Sequence, residues 1–385
     1  MENATPEPGL FELPAAYREL QSEARALAAS VAGLAAEADE SGSVHPQVRR
    51  RLAASGLAAV TVPREYGGRL DQVDSLAVTV IREVLAGTSA HLDSLFAMQG
   101  IGSYAVSVGG SPDLRRQWLP AVAACEAIAA LALTEPDVGS DLRAITTTVE
   151  SEGGDLVVTG HKSFITNAGD ADFYCVLGRE SEGYSLLLVP AGSPGLSVSH
   201  PHQIIAPHVL GDVVLDGVRV PEGNRLGQPG QGFRLALATL ATFRVSVAGA
   251  AVGLAQAALD EAVGHAVTRE QFGTPLARLG PVPTLLARSW TDIEMARSLT
   301  YRAAAAAARD PLASLHLSSM AKAGATEMAG QVADRAVQIM GRFGLVRGSV
   351  IERLYREARP MRIYEGATEV IYDSLARQLV KGYPK

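Results

Sequence analysis

Cysteine is nearly missing from this 385-residue chain: there are two, Cys125 and Cys175, and no Cys-x-x-Cys. That excludes a disulfide scaffold and a cysteine-ligated zinc site, and it fits a reducing, cytoplasmic setting. Aromatic residues make up only 5% of the chain, so the core must be built from aliphatic and small side chains. Positive charge is in deficit. The formal net charge is −7, whereas a nucleic-acid partner calls for a basic surface, so none is expected. Long clean apolar runs are absent too. Residues 119–133 carry Pro120 and Glu126, and residues 245–259 carry Ser246, Gln256 and two glycines. Both fall short of the roughly 18–20 residues a membrane span requires. Residues 1–9 lack a basic segment followed by an apolar one, so no signal peptide is expected. Three common catalytic signatures are also missing: the phosphate-binding GxxxxGK loop, the GxSxG nucleophile turn and GxGxxG in a βαβ setting.

What is present describes a folded chain. Hydrophobic residues reach 47% and charged residues 19%, and the length suggests two or three domains. Tyr17, Leu20, Ala24, Leu27, Val31 and Leu34 recur at steps of three and four, which is one helical face. Val73, Leu76, Ala77, Val80, Ile81, Val84 and Leu85 repeat the pattern, and Ser111-Pro112 reads as a helix start. The middle changes period. Short runs at 146–150, 156–159, 173–177, 184–189 and 213–220 are separated by turn residues such as Gly153-Gly154, which predicts an antiparallel or Greek-key sheet. Helical periodicity returns from Gly232, with helices expected over 233–270, 282–309, 312–340 and 367–380. The expected architecture is α+β and mostly α, with divisions at 1–128, 129–231 and 232–385.

Candidate chemistry is sparse. His200 and His202 share one face of an extended segment, with His208 nearby, and such a set can serve a metal. Only Asp212 is placed to complete a shell, so they are read as ordinary histidines and no metal is expected. Three segments stand out instead. Leu131-Ala-Leu-Thr-Glu-Pro-Asp-Val-Gly-Ser-Asp141 is a polar loop after an apolar run, with backbone N–H groups available to a heterocycle or phosphate. His161-Lys-Ser-Phe-Ile-Thr-Asn-Ala168 sets an aromatic two residues before a hydroxyl. Met361-Arg-Ile-Tyr-Glu-Gly-Ala-Thr-Glu-Val370 sets an acid beside glycine where a loop enters a helix.

In this order, and together with Val62-Pro-Arg-Glu-Tyr-Gly-Gly68, Val218-Arg-Val-Pro221, Arg269-Glu-Gln-Phe-Gly273 and residues 338–344, these segments resemble the acyl-CoA dehydrogenase family along nearly the whole chain. The resemblance implies an N-terminal all-α domain, a middle β-sandwich or barrel and a C-terminal four-helix bundle. It implies FAD as cofactor, a homotetramer or homodimer, and electron-transfer flavoprotein as the usual acceptor. The implied reaction removes hydrogen from the α and β carbons of an acyl thioester. Glu365 matches the base, which burial would raise toward working pH.

The same resemblance assigns the other positions. Leu131, Leu133, Thr134, Gly139, Ser140, Phe164 and Thr166 match flavin contacts, with Phe164 where the family usually has tryptophan. Arg269, Phe272, Gln338, Gly341, Arg342 and Glu369 match further cofactor contacts, of which Arg269, Phe272, Gln338 and Gly341 reach the flavin of a neighbouring subunit. Ser140, Arg244, Tyr364 and Gly366 match substrate contacts. Phe243 precedes Arg244 where some relatives carry an alternative glutamate base. Residues 204–211 depart from the stretch that helps hold CoA. That leaves an acyl-CoA or a carrier-protein-bound acyl group as substrate, and a flavin oxidase or monooxygenase on the same fold as the alternative reaction.

Overall fold

A computed structural model describes residues 12–382; the N-terminal stretch in which no signal peptide is expected lies outside the described residues. Six helices come first: α1 Ala15–Val31, α2 Ala35–Asp39, α3 Pro46–Ser55, α4 Ser75–Ala86, α5 Ala90–Gly109 and α6 Pro112–Ala123. Their starts are capped as the side chains dictate. Asp74 Oδ1 accepts from the N–H groups of Leu76 and Ala77, Ser89 Oγ from that of Leu92, and Ser111 Oγ from that of Leu114. The face expected to run to Leu34 stops at Val31. Residues Ala32–Leu34 form a 3₁₀ turn around Gly33, where glycine weakens the α-helix.

Strands follow: β1 Ala129–Ala132, β2 Thr148–Glu152, β3 Asp155–Thr166, β4 Phe173–Glu180, β5 Gly183–Pro190, β6 Leu196–Ser199, β7 Leu210–Pro221 and β8 Arg225–Leu226. The sheet runs β6-β7-β3-β2-β4-β5-β8, with β1 paired to β4. Most pairs are antiparallel as expected, but β1–β4 and β2–β4 are parallel. β4 is buried on both faces. Phe173, Cys175 and Leu177 point into a core shared with α6, Leu114 and Leu119 among it. Tyr174 and Val176 point into a second core with Val158, Leu187, Val213 and Val218. The sheet thus closes on itself on one side and carries helices on the other. Cys125 and Cys175 are both free and buried.

The C-terminal part begins with α7 Gly232–Thr268, then the hairpin β9 Glu270–Gln271 and β10 Thr274–Pro275, then α8 Val282–Ala307, α9 Leu315–Met340, α10 Val350–Ala358 and α11 Thr368–Lys381. Three long helices pack together and two short ones complete the bundle. α10 is the helix the periodicity did not predict: its nine residues bury Ile351, Leu354 and Ala358 in an otherwise charged segment. α7 holds an 18-residue window apolar enough to cross a membrane, but 78% of that window is buried inside the protein. It is the central helix, packed against α4, α5, α8, α9 and α10. Its alanines and glycines allow that close approach: a Cβ on Gly253 would lie 1.7 Å from the carbonyl oxygen of Glu83.

Candidate active site

Between the 3₁₀ turn Pro360–Arg362 and α11 a short loop packs against α7 at Arg244 and α9 at Lys322. Glu365 sits there at φ +52° and Gly366 at φ +108°. A left-handed glutamate is strained by roughly 1–3 kcal/mol and persists only where its surroundings impose it. The surroundings here are specific. Arg244 Nε of α7 donates to the Glu365 carbonyl at 3.0 Å, and its Nη1 donates to Ser319 Oγ at 3.1 Å. Lys322 Nζ of α9 donates to the Gly366 carbonyl at 2.7 Å. Thr368 Oγ1 donates to Glu327 Oε1 of α9 at 3.0 Å. A Cβ on Gly366 would fall 3.5 Å from Arg244 Nη2 and 3.3 Å from Ile371, so glycine leaves the guanidinium its place.

The Glu365 carboxylate itself is left open. Among the described residues its Oε2 is buried with no hydrogen-bond partner, and the Glu365 N–H donates to no backbone acceptor. Burial holds the carboxyl pKa above its ordinary value, with Asp93 adding to the effect and Arg82, Arg244 and Lys322 opposing it. Arg82 of α4 is itself committed: Nε and Nη2 donate to Asp93 of α5 at 2.9 and 2.7 Å, and Nη1 donates to Ser246 Oγ at 3.0 Å. Next to Arg244, the ring of Phe243 is wholly buried. It meets Tyr104 edge-on at 5.7 Å, and its Cε1 would lie 2.4 Å from a Cβ on Gly100. Only glycine on α5 admits that ring.

On the β side, the loop at 133–141 is pinned by Glu135. Its carboxylate accepts from the N–H and hydroxyl of Thr146 and Thr147 at 2.6–2.9 Å, and from Lys162 Nζ at 3.0 Å. These bonds hold the carboxyl down to about 2 against burial. Thr134 and Ser163 exchange bonds, Oγ1 to carbonyl at 2.5 Å and N–H to carbonyl at 3.0 Å. β3 then breaks register against β7 between Lys162 and Ile165. Asp212 fixes that bulge by accepting from Ser163 Oγ at 2.6 Å, and His161 Nε2 lies 2.9 Å from its other oxygen. The bulge turns Phe164 outward at φ +56°, 51% exposed, where it stacks on His202 at 4.3 Å. Thr166 Oγ1 lies 3.4 Å from His208 Nε2, which is also 3.3 Å from Ser94 Oγ of α5. Burial pulls His208 down to about 4, so the ring is neutral.

The remaining sequence-predicted residues gather elsewhere. Arg269 follows α7, and 25 residues of helix separate it from Arg244, about 37 Å at 1.5 Å per residue. Arg269 and Arg342 flank the Phe343 ring at 5.7 and 5.1 Å. Phe272 at the hairpin tip is 96% exposed. Gln338 and Gly341 lie at the same end of α9 and are exposed. Glu369 stands exposed in the first turn of α11.

Geometry therefore groups the predicted residues in three places. Glu365, Tyr364, Gly366 and Arg244 come together on one loop and α7. Leu131, Leu133, Thr134, Phe164 and Thr166 come together where β1 meets β3, with exposed Gly139 and Ser140 on the adjoining loop. Arg269, Phe272, Gln338, Gly341 and Arg342 lie at the far end of the bundle. Leu133 can offer a ligand little but its N–H: its side chain is buried and its carbonyl accepts from Lys162 at 3.0 Å. The three histidines do not form a cluster. His200 Nδ1 lies 2.9 Å from the Leu210 carbonyl, His202 leans on Phe164, and His208 faces Ser94. Among the described residues no metal-ligating cluster exists.

The chemistry of the group around Phe164 suits the flat ring of a flavin. Phe164, turned outward by a stabilised bulge, offers an aromatic face to a flat heterocycle. Gly139 has open space around its Cα, and the far arginines offer charge-assisted bonds to an anion. Sequence reasoning missed Glu135, Lys162, Lys322, Arg82 and Asp93. For Lys322 the signal is a charged residue amid small and apolar neighbours, Ser319-Met-Ala-Lys-Ala323; the others carry no local signal and become visible only once the buried partner is known.

Comparison with known proteins agrees along the chain. Residues 14–126, 130–218 and 230–380 match the acyl-CoA dehydrogenase N-terminal, middle and C-terminal domains. The chain is 34% identical over 357 residues to cyclohexane-1-carbonyl-CoA dehydrogenase of Geobacter metallireducens, covering 91% of this chain and 93% of that protein. It is 32% identical to the short-chain specific acyl-CoA dehydrogenase of Sus scrofa mitochondria, covering 97% and 92%. Its fold superposes on butyryl-CoA dehydrogenase of Megasphaera elsdenii with a TM-score of 0.91 at 28% identity, covering 96% and 99%.

Proposed function

The chain belongs to the acyl-CoA dehydrogenase family and is an FAD-dependent oxidoreductase of acyl-CoA thioesters, and from that premise we propose that Glu365 is the base that takes the α proton. The observation that carries this reading is Oε2 of its carboxylate, buried and without a hydrogen-bond partner among the described residues, on a loop whose carbonyls are tied down and whose acid is not; burial raises its pKa. An α proton of a thioester is weakly acidic. A base whose pKa is raised above the ordinary carboxylate value serves it better than a solvated carboxylate.

The developing enolate oxygen requires donors, and the Glu365 N–H is free to be one. FAD, when bound, accepts the β hydrogen as hydride. In our reading Leu131, Thr134, Ser140, Phe164 and Thr166 hold the flavin end. Arg269, Phe272, Gln338, Gly341 and Arg342 belong to the flavin site of a second copy of the chain, because about 37 Å of α7 keeps them from the site beside Glu365. The bare Phe272 and the exposed Leu345, Trp290 and Met295 fit burial against such a copy. Electron-transfer flavoprotein is the proposed acceptor.

Phe243 favours a short acyl group. Its ring fills the space between α7 and α5 over Gly100, right beside the arginine that anchors Glu365. The purified protein should bleach at the flavin band with a four-carbon acyl-CoA. Glu365→Gln should lose that response by roughly 100- to 10,000-fold, the usual contribution of a general base. Because Glu365 must be ionised to act, the rate should fall as pH drops through its raised pKa. Undiminished bleaching in Glu365→Gln would remove the base from this role.

A further inference from the structure

We propose that Lys322 is a positioning residue for the catalytic loop, holding the Glu365–Gly366 peptide in its left-handed turn and setting the charge environment in which Glu365 takes its proton. The inference rests on the reading of Glu365 as the base.

Lys322 is fully buried on α9. A buried ammonium is ordinarily paired with a carboxylate. This one is not: among the described residues its only side-chain hydrogen bond is to the Gly366 carbonyl, at 2.7 Å, and no carboxylate oxygen lies within 4 Å of it. Its desolvation is therefore spent on one peptide group of the catalytic loop. Arg244 takes the preceding carbonyl from the other side, at 3.0 Å. Two cations from two helices thus hold consecutive carbonyls and fix the peptide planes on both sides of Gly366. The loop is held at further points by the same face of α9: Ser319 steadies Arg244, and Glu327 receives Thr368. A Cβ on Gly330 would strike Arg362 Nη2 at 2.0 Å, so the α9 backbone also makes room for the arginine that precedes the loop.

The charge acts along with the bond. Glu365 is faced by Arg82 of α4, Asp93 of α5, Arg244 of α7 and Lys322 of α9. Lys322 in turn is faced by Glu365, by Arg244, by Glu327 on its own helix and by Glu369 of α11. Arg82 is neutralised by Asp93 in a bidentate pair, whereas Lys322 has no such partner, so its charge is less cancelled at Glu365. Burial lowers Lys322 to about 8, which leaves it mostly charged at neutral pH.

Three substitutions separate the bond from the charge in the FAD-loaded enzyme. Lys322→Met removes both, Lys322→Gln keeps a donor without charge, and Lys322→Arg keeps both. The first readout is deuterium exchange of the peptide spanning residues 363–368, which needs no turnover. Exchange should quicken in Lys322→Met and stay near wild type in Lys322→Gln and Lys322→Arg. The second is the acid limb of the rate of flavin reduction. Loss of the cation should move it upward in Lys322→Met and Lys322→Gln, by on the order of 1 pH unit for one nearby charge, and Lys322→Arg should restore it. If Lys322→Met fails to fold, the Gln and Arg variants still decide the charge. An acid limb unmoved in Lys322→Gln, with exchange unchanged in every variant that folds, would overturn the proposal. An active Glu365→Gln enzyme would instead fail the base assignment and leave the loop measurement standing on its own.

Discussion

Two buried lysines, both without exposed surface, sit in opposite circumstances. Lys162 in the β part lies 3.0 Å from Glu135, and that carboxylate also accepts four bonds from Thr146 and Thr147. Lys322 in the helical part meets a carbonyl, and the carboxylate one residue away keeps an unpaired oxygen. In the first cluster every charge is answered and the result is architecture: a loop pinned to a sheet. In the second the cations bind the backbone and leave the acid free. The same residue types build a joint in one place and a reactive group in the other, and hydrogen-bond saturation distinguishes them.

Breaking the saturated cluster should have the largest effect on stability. Glu135→Ala leaves Lys162 buried and uncompensated, which costs about 3–5 kcal/mol. Thermal unfolding followed by tryptophan fluorescence can report it, because Trp118 packs on Phe173 of β4 with ring centroids 4.8 Å apart. Combining Glu135→Gln with Lys162→Met should cost less than Glu135→Ala alone, since no stranded charge remains. Equal losses would show that packing rather than charge holds the loop.

Acid should sharpen the contrast. Glu135 is held down to about 2 in the folded protein, below the ordinary glutamate value of about 4.3. Its stabilisation is complete above that ordinary value and is lost as pH falls toward 2. Glu365 is displaced the other way, so its ionised form is disfavoured by folding. The Trp118 signal should therefore lose stability between about pH 4 and 2 in wild type, and Glu135→Gln should flatten that decline.

A smaller effect is expected at Phe243. Phe243→Leu should shift preference from four-carbon toward six-carbon acyl-CoA, by roughly 10- to 200-fold in relative kcat/KM if the altered space admits one or two more methylenes. The smallest belongs to the exposed pair Arg219–Glu152. Glu152→Ala should change stability by about 0–1 kcal/mol, which sets the baseline for a charge that neither builds nor reacts.

The long helices were legible because their apolar residues keep a three-four spacing and one start is written in Ser111-Pro112; the caps at Asp74 and Ser89 came into view only with the structure. Five strands, β2, β3, β4, β5 and β7, were legible as β-branched or aliphatic runs; β1, β6 and β8 were not, being two to four residues long, and neither was the parallel pairing of β1 on β4, which depends on partners far apart in sequence. At the site, Glu365 and Phe164 stood out only through their motifs. The bulge that turns Phe164 outward depends on Asp212, read from sequence as a possible metal ligand. The buried charges at 82, 93, 135, 162 and 322 were hidden because a charged residue reads as solvated until its partner is in view. α10 was hidden because nine residues give periodicity too little length to register.

The most direct test of the account is the pH dependence of anaerobic flavin reduction by a saturating four-carbon acyl-CoA, in wild type and in Glu365→Gln. The wild-type rate should fall on the acid side through a pKa above that of an ordinary glutamate, and Glu365→Gln should bind the thioester but reduce the flavin at least about 100-fold more slowly. A wild-type acid limb at the ordinary carboxylate value, or a Glu365→Gln rate equal to wild type, would contradict it.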